Sequence, residues 1–178
     1  DKIILPTEEN YNSLFEKANI EIILSDVLWD FQILKKFIDG RLDYYKKIRF
    51  LFPLPQFHND VRSFDFVQSV GALLDRHIVS LEDYLEVIYE LLKRAKDRGI
   101  VGIKDQSAYT RTLDYELVPM YEAEKLFNRI LSDPRNSLGW TEAKPLDDFL
   151  FHQFMNFARD LKLPVQIHTG HMAGIRNR

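Results

Sequence analysis

A short apolar strand that ends in polar residues lies within residues 163–174, LPVQIHTGHMAG. Side chains alternate between the two faces of a strand, so Val165 and Ile167 point to one side while Gln166 and His168 point to the other. The apolar pair fits against a layer of helices. The pattern therefore predicts a strand that is covered by helices on one face and carries an imidazole at its carboxyl end on the opposite face.

Three further short apolar runs precede this strand, and helical patterns separate the four runs. The earlier runs occupy residues 20–24, 48–52 and 100–104. The clearest helical pattern begins at the N-cap residue Ser80, and Pro145 is predicted to open the last helix. Alternating strands and helices build parallel sheets, because each parallel return needs a crossover. The order predicts an α/β protein with either a doubly wound sheet or a (β/α)8 TIM-like barrel, of which the chain covers about four or five βα units.

The composition excludes several classes of protein. The chain has 178 residues, 46% hydrophobic and 29% charged, which is typical of one soluble globular domain. A net charge of -3 argues against a nucleic-acid partner. The absence of cysteine excludes disulfides, zinc–thiolate sites and cysteine nucleophiles. No apolar run approaches the roughly 20 residues of a membrane span, and no signal peptide is visible. We therefore expect a cytoplasmic protein with no membrane partner. Its expected substrate is a small molecule.

The strand at residues 100–104 repeats the alternation seen before His168. Val101 and Ile103 are predicted to face the helices, while Gly102 and Lys104 face the other way, with Lys104 last. Active sites of (β/α)8 barrels lie at the carboxyl ends of the strands. Two polar side chains from different strands are therefore predicted to converge on one rim.

Metal chemistry is one use of such a rim. A neutral imidazole is the commonest metal ligand, and a divalent ion lowers the pKa of bound water towards about 7. Beside a cation, Lys104 could act as a neutral base or, once carbamylated, as an anionic ligand. The alternatives stay open, because an inward histidine can simply be hydrogen-bonded in a core. A lysine followed by Asp105 can also be a solvated ion pair of little energetic value.

Four other side chains are candidates near the same rim. Asp26 could contact the substrate or cap the helix that follows it. Arg111 could clamp a substrate carboxylate or form a surface salt bridge. His58 is a candidate by its location after the strand at residues 48–52. His171 is predicted to be a catalytic loop residue near the substrate, and it could be a ligand only if the chain turns after His168.

Two segments resemble the metal-dependent amidohydrolase superfamily, in particular its amidohydrolase-2 branch. Residues 144–170, KPLDDFLFHQFMNFARDLKLPVQIHTG, are similar to the helix and strand that carry a metal-binding histidine there. Residues 97–113, DRGIVGIKDQSAYTRTL, resemble the preceding strand and loop. The resemblance implies a distorted (β/α)8 barrel that holds one or two divalent ions, zinc being the expected metal, and hydrolyses amide or ester-like bonds. Some relatives instead decarboxylate aromatic or related acids.

The same resemblance implies roles for two residues and indicates which part of the family's barrel the chain covers. It implies that His168 is a metal ligand, and Lys104 occupies a position compatible with the carbamylated lysine of some subgroups. The family's first strand carries His-x-His, whereas the histidines here stand at positions 58, 77, 152, 168 and 171. The family's aspartate after the last strand is also missing.

We therefore expect residues 1–178 to be a single domain from the central portion of a hydrolase barrel. Its strand edges and inner face would need covering by missing strands, by another chain or by a homo-oligomer. A decarboxylase on the same scaffold and a non-catalytic partial barrel remain as alternatives.

Overall fold

The centre of the molecule is a curled sheet of four parallel strands. The computed structural model describes residues 8–170. Its strands are Ile23–Ser25 (β1), Ile48–Pro53 (β2), Gly102–Asp105 (β3) and Val165–Ile167 (β4), in the spatial order β1-β2-β3-β4. Each strand is added beside the preceding one on the same side, without the reversal of order that defines a doubly wound sheet. The predicted α/β class is confirmed, and the sheet forms half of a TIM-like barrel.

Helices connect the strands and cover one face of the sheet. Within the described residues they are Glu8–Lys17 (α1), Phe31–Ile38 (α2), Gln56–Asn59 (α3), Phe64–Ala72 (α4), Leu81–Asp97 (α5), Met120–Ser132 (α6) and Trp140–Asp160 (α7). None of them is long and apolar enough to cross a membrane. A 3-10 turn, Ser107–Tyr109, follows β3.

The core lies between the sheet and the helices. Phe52 and Leu54 from the β2 segment and Ile103 from β3 are fully buried in it. Tyr84 and Ile88 from α5 are fully buried in the same cluster, as the helical spacing of that segment requires. The opposite face of the sheet is the inner face of the half barrel. Because Lys104 is paired with Gln166 across β3 and β4, these two side chains share that inner face.

The prediction that Pro145 opens the last helix is wrong. Helix α7 begins at Trp140, and Pro145 lies inside it. The Glu142 carboxylate accepts a hydrogen bond from the Gly139 N–H at 3.4 Å, and the Ala143 N–H donates to the Gly139 carbonyl at 2.9 Å. These bonds start the helix before the proline. Pro145 is the sixth residue of α7 and lacks the N–H that would otherwise bond to the Thr141 carbonyl.

Candidate functional site

His168 and Lys104 lie on the same face of the sheet at its carboxyl rim. The His168 N–H donates to the Asp105 carbonyl at 2.8 Å, which extends the β3–β4 ladder by one residue. Lys104 is half-buried and opposes Gln166, so His168 is two residues farther along the neighbouring strand. Strand spacing and rise give about 8 Å between the Cα atoms of Lys104 and His168. The structure therefore brings the two predicted residues together on the inner face.

The imidazole of His168 is oriented by an aromatic ring. Tyr109 stacks on it with a centroid separation of 4.4 Å and an interplanar angle of 17°. The Nε2 atom of His168 is buried and has no hydrogen-bond partner among residues 8–170. Buried polar atoms are nearly always paired, with protein, water or an ion, so this nitrogen stands out as unpaired within the described chain.

Asp26 also reaches the rim and does not cap α2. Its carboxylate accepts a hydrogen bond from the Gln106 side-chain amide, which ties the end of β1 to the end of β3. The cap of α2 is Asp30, whose Oδ1 accepts from the Gln32 N–H at 2.7 Å and from the Ile33 N–H at 3.2 Å. The carbonyl oxygen of the Gln106 amide is buried without a partner in the described chain. Contact between Asp26 and a substrate stays a prediction.

Arg111 is held by the protein itself. Its guanidinium donates to the carbonyls of Thr112 at 3.0 Å and Asp114 at 3.2 Å, and it also bonds the Asp148 carboxylate. The group lies 4.4 Å from the centre of the Tyr115 ring. With only 10% of its side chain exposed, Arg111 forms a partly buried ion pair instead of a surface one. Its predicted role as a substrate clamp is not tested by these contacts, nor is that of His171, which lies outside the described residues.

A buried polar network that the sequence did not reveal lies beneath the rim, on the helix-facing side of β3. Asp105 and His58 are both fully buried, with 3.7 Å between Asp105 Oδ2 and His58 Nε2. Ser107 donates its N–H to Asp105 Oδ1 at 2.8 Å, and its hydroxyl bonds the same oxygen. Asn59 donates from Nδ2 to Ser107 Oγ at 2.8 Å. Asp105 lies two residues after the buried Ile103 and therefore points to the same face of β3. This alternation is the signal in the sequence that could have identified Asp105 as buried.

The electrostatics of this network favour an ionised Asp105. Burial opposes ionisation, but the neighbouring His58 imidazole and the hydrogen bonds from Ser107 hold the pKa of Asp105 below its ordinary value. Tyr115 donates its hydroxyl to Asp105 Oδ2 at 3.4 Å. Burial, with the adjacent Asp105 charge, raises the pKa of Tyr115 well above its ordinary value, so the phenol stays a donor.

A second ionic cluster ties the loop between α3 and α4 to the first part of α7. Arg62 donates to Asp147 Oδ2 at 3.2 Å, and Lys144 donates to Asp148 Oδ2 at 2.6 Å. The Arg62 guanidinium also lies 3.4 Å from the ring centre of Trp140. Burial raises the pKa of Asp147 to about 8, although the neighbouring arginines act in the opposite direction. Helix α7 begins at Trp140, so Asp147 and Asp148 lie beyond its first turn, and both are buried.

The fit of a metal to the rim is partial within the described chain. Residues 8–170 contain no group of three or more histidine, aspartate or glutamate side chains that could hold an ion. His168 offers one nitrogen without a partner in the described chain, and imidazole nitrogen suits zinc and similar divalent ions as a ligand. A full set of ligands would need donors from outside these residues.

Comparisons with known proteins support the fold. No family model and no curated protein match the sequence. A uronate isomerase structure from Thermotoga maritima is similar with a TM-score of 0.67 and 15% identity, over 88% of this chain and 34% of that chain. A protein assigned as a metal-dependent hydrolase from Lactobacillus casei ATCC 334 has a TM-score of 0.61 and 18% identity, over 94% of this chain and 40% of that chain.

A third similar structure is the glucuronate isomerase of Caulobacter crescentus. Its TM-score is 0.59 and its identity 17%, over 88% of this chain and 32% of that chain. The chain thus spans about a third of both isomerases and two fifths of the hydrolase. At these identities the likeness establishes a shared scaffold, and the chemistry must be argued from the site.

Proposed function

We propose that the chain forms part of the barrel of a metal-dependent enzyme of the amidohydrolase-2 type, in which His168 is one ligand of a divalent ion, zinc being the expected one. The proposed reaction is hydrolysis of an amide or ester-like bond in a small molecule. A bound divalent ion would supply an activated water and would polarise the substrate carbonyl.

The observation that carries the proposal is the state of the His168 side chain. Its imidazole stands at the carboxyl end of a parallel strand, is stacked against Tyr109, and keeps a buried Nε2 without a partner in the described chain. If His168 had only a structural role, its Nε2 would be expected to form a hydrogen bond. The naming of one similar structure as a metal-dependent hydrolase supports the same interpretation.

The other predicted residues take roles around His168. Lys104 would act as a neutral base or, after carbamylation, as an additional ligand from the neighbouring strand. His171 would exchange a proton with the substrate. Asp26 would bind a substrate hydroxyl or amine at the rim, and Arg111 would attract an anionic group if it releases Asp148.

Isomerisation of a sugar acid is the second candidate. Two of the similar structures are named uronate and glucuronate isomerase, and the first has the higher TM-score. Decarboxylation of an acid on the same scaffold is a further alternative. In each of the three proposed reactions a divalent ion would polarise a carbonyl or carboxylate oxygen of the substrate, so failure of the protein to bind metal would argue against all three proposals.

Metal analysis of the purified full-length protein tests the site. We expect about one tightly bound divalent ion per protein, and we expect its content to fall strongly in His168→Ala. His77→Ala is the matched control, because His77 is exposed and lies in the loop between α4 and α5. An unchanged metal content in His168→Ala would remove the assignment. No stoichiometric metal, with association that increases with concentration, would instead favour the non-catalytic partial barrel.

Substrate assays then separate the reactions. The metal-loaded protein is incubated with a set of small amides and esters, with uronates and with aromatic acids. Release of an amine or alcohol would support hydrolysis, an aldose-to-ketose change would support isomerisation, and carbon dioxide would support decarboxylation. Light scattering of the same sample measures the expected homo-oligomer.

A further inference from the structure

Tyr109 stacks on His168 although its own side chain remains partly exposed to solvent. Its side chain is 39% exposed, so hydrophobic burial alone does not fix the stacked position. The residue ends the 3-10 turn Ser107–Tyr109, and its N–H donates to the Gln106 carbonyl at 3.0 Å. The position of the ring therefore depends on what holds this turn.

The turn is held at its first residue by three buried side chains. Ser107 donates both its N–H and its hydroxyl to the Asp105 carboxylate. Asn59 donates to Ser107 Oγ at 2.8 Å, and His58 Nε2 lies 3.4 Å from the same oxygen. Asn59 and His58 belong to α3, so the network ties the segment after β2 to the segment after β3.

His58 is itself fixed in one orientation. Its ring makes edge contacts with Phe151 and Phe154, at centroid distances of 5.7 and 6.2 Å. Its Nδ1 is buried without a partner in the described residues. The other ring nitrogen, Nε2, faces Asp105 Oδ2 at 3.7 Å and Ser107 Oγ at 3.4 Å, so it is the atom that connects His58 to the network.

Asp105 connects this network to His168 in two ways. Its backbone carbonyl accepts the His168 N–H at 2.8 Å, and its carboxylate holds the turn that carries Tyr109. We propose that Asp105, Ser107 and His58 form a positioning network that sets the stacking of Tyr109 on His168 and thereby the direction of His168 Nε2. The value of that direction for metal binding rests on the proposed function, but the positioning itself does not.

Nuclear magnetic resonance of the histidine side chains in the metal-free full-length protein tests the positioning. A stacked tyrosine displaces the ring-proton resonances of His168 to low frequency. We expect Tyr109→Leu to remove this displacement and Tyr109→Phe to retain it. Ser107→Ala should also remove it, although Tyr109 is unchanged in that variant.

The controls keep the test decisive. The His77 and His152 resonances report whether each variant is folded. If Ser107→Ala fails to fold, Asn59→Ala removes the 2.8 Å bond to the same hydroxyl and takes its place. A His168 resonance that is unchanged in the folded Ser107→Ala or Asn59→Ala variant would overturn the network, whatever the protein's metal content.

Titration with Zn²⁺ alone measures the consequence for the site. Substitutions that disturb the groups orienting a ligand typically weaken metal affinity by about 10- to 100-fold, and we expect Ser107→Ala to fall in that range. If neither wild type nor variant binds Zn²⁺ while the resonance shifts behave as expected, the positioning network stands and the proposed function fails.

Discussion

The buried carboxyl of Asp147 leads to a quantitative prediction of how the free energy of unfolding depends on pH. The carboxyl is almost fully buried, its Oδ1 lacks a partner in the described chain, and its Oδ2 accepts from Arg62 at 3.2 Å. Burial raises its pKa from 3.8 to about 8, so removal from water outweighs the attraction of Arg62 and Arg111. Between these two values the folded protein holds a proton that the unfolded chain has lost.

The sign and size of the effect follow from proton linkage. Because the Asp147 carboxyl binds more protons in the folded state, its contribution to the free energy of unfolding falls as the pH rises from about 4 to about 8. The slope is at most about 1.4 kcal/mol per pH unit, so the loss between pH 5 and pH 7 is at most about 2.7 kcal/mol. At and below about pH 4 the contribution of Asp147 is fully present, and above about pH 8 its loss is complete.

Asp147→Asn isolates this contribution in an isosteric side chain. The free energy of unfolding is measured by urea denaturation at pH 5, 6 and 7 for wild type and variant. We expect the wild-type advantage over the variant to shrink by about 1.5–2.7 kcal/mol across this range. Asp160→Asn, at the other end of α7 and half-exposed, is the matched control for the loss of one carboxylate. A wild-type advantage that is constant or grows with pH would show that Asp147 is ionised in its ion pair, and the reasoning would be refuted.

Substitutions at three further positions test a buried hydrogen bond, a close backbone approach and a helix cap. Tyr84→Phe removes the hydroxyl that donates to the Phe57 carbonyl at 2.6 Å, and it should lower the free energy of unfolding by about 1–2 kcal/mol in urea. Gly102→Ala would place a Cβ 2.9 Å from the Pro164 carbonyl oxygen, so we expect a loss of about 1–3 kcal/mol; an unchanged thermal midpoint would contradict this close approach. Ser80→Ala should cost about 1 kcal/mol by removing the cap of α5, and Ser80→Asp should restore most of it if capping is the cause.

The sheet could be predicted from sequence because its signals are local. Each of the four apolar runs overlaps a strand, and the boundaries differ by three residues at most, the largest shift being the start of β1 at Ile23. Ser80 caps α5 as expected, because the polar cap and the apolar stripe lie within a few residues of each other. Short helices were harder: α3 and α4 are stabilised by tertiary burial more than by their own length.

The candidate site was predictable only on one face of the sheet. Pleat parity places Lys104 and His168 together, and parity can be read from each strand alone. The contact of His58 with Ser107 joins residues 49 positions apart and requires that β2 and β3 be neighbours. Their carboxyl-end segments also have to turn towards α7, which no local pattern indicates. The resemblance pointed to His168 and Lys104 but gave no information about the residues that support them.

Consecutive residues of β3 divide the rim into two chemically different layers. Lys104 faces the open inner side, whereas Asp105 faces the helices and is paired there with Ser107 and His58. A slip of β3 by one residue would exchange the two faces. It would direct the lysine ammonium into the aromatic surroundings of His58 and remove the carboxylate that holds the Ser107–Tyr109 turn. Burying an unpaired charge costs several kcal/mol, so the slipped register is unfavourable. The neighbouring charges of Lys104 and Asp105 therefore fix the register of β3.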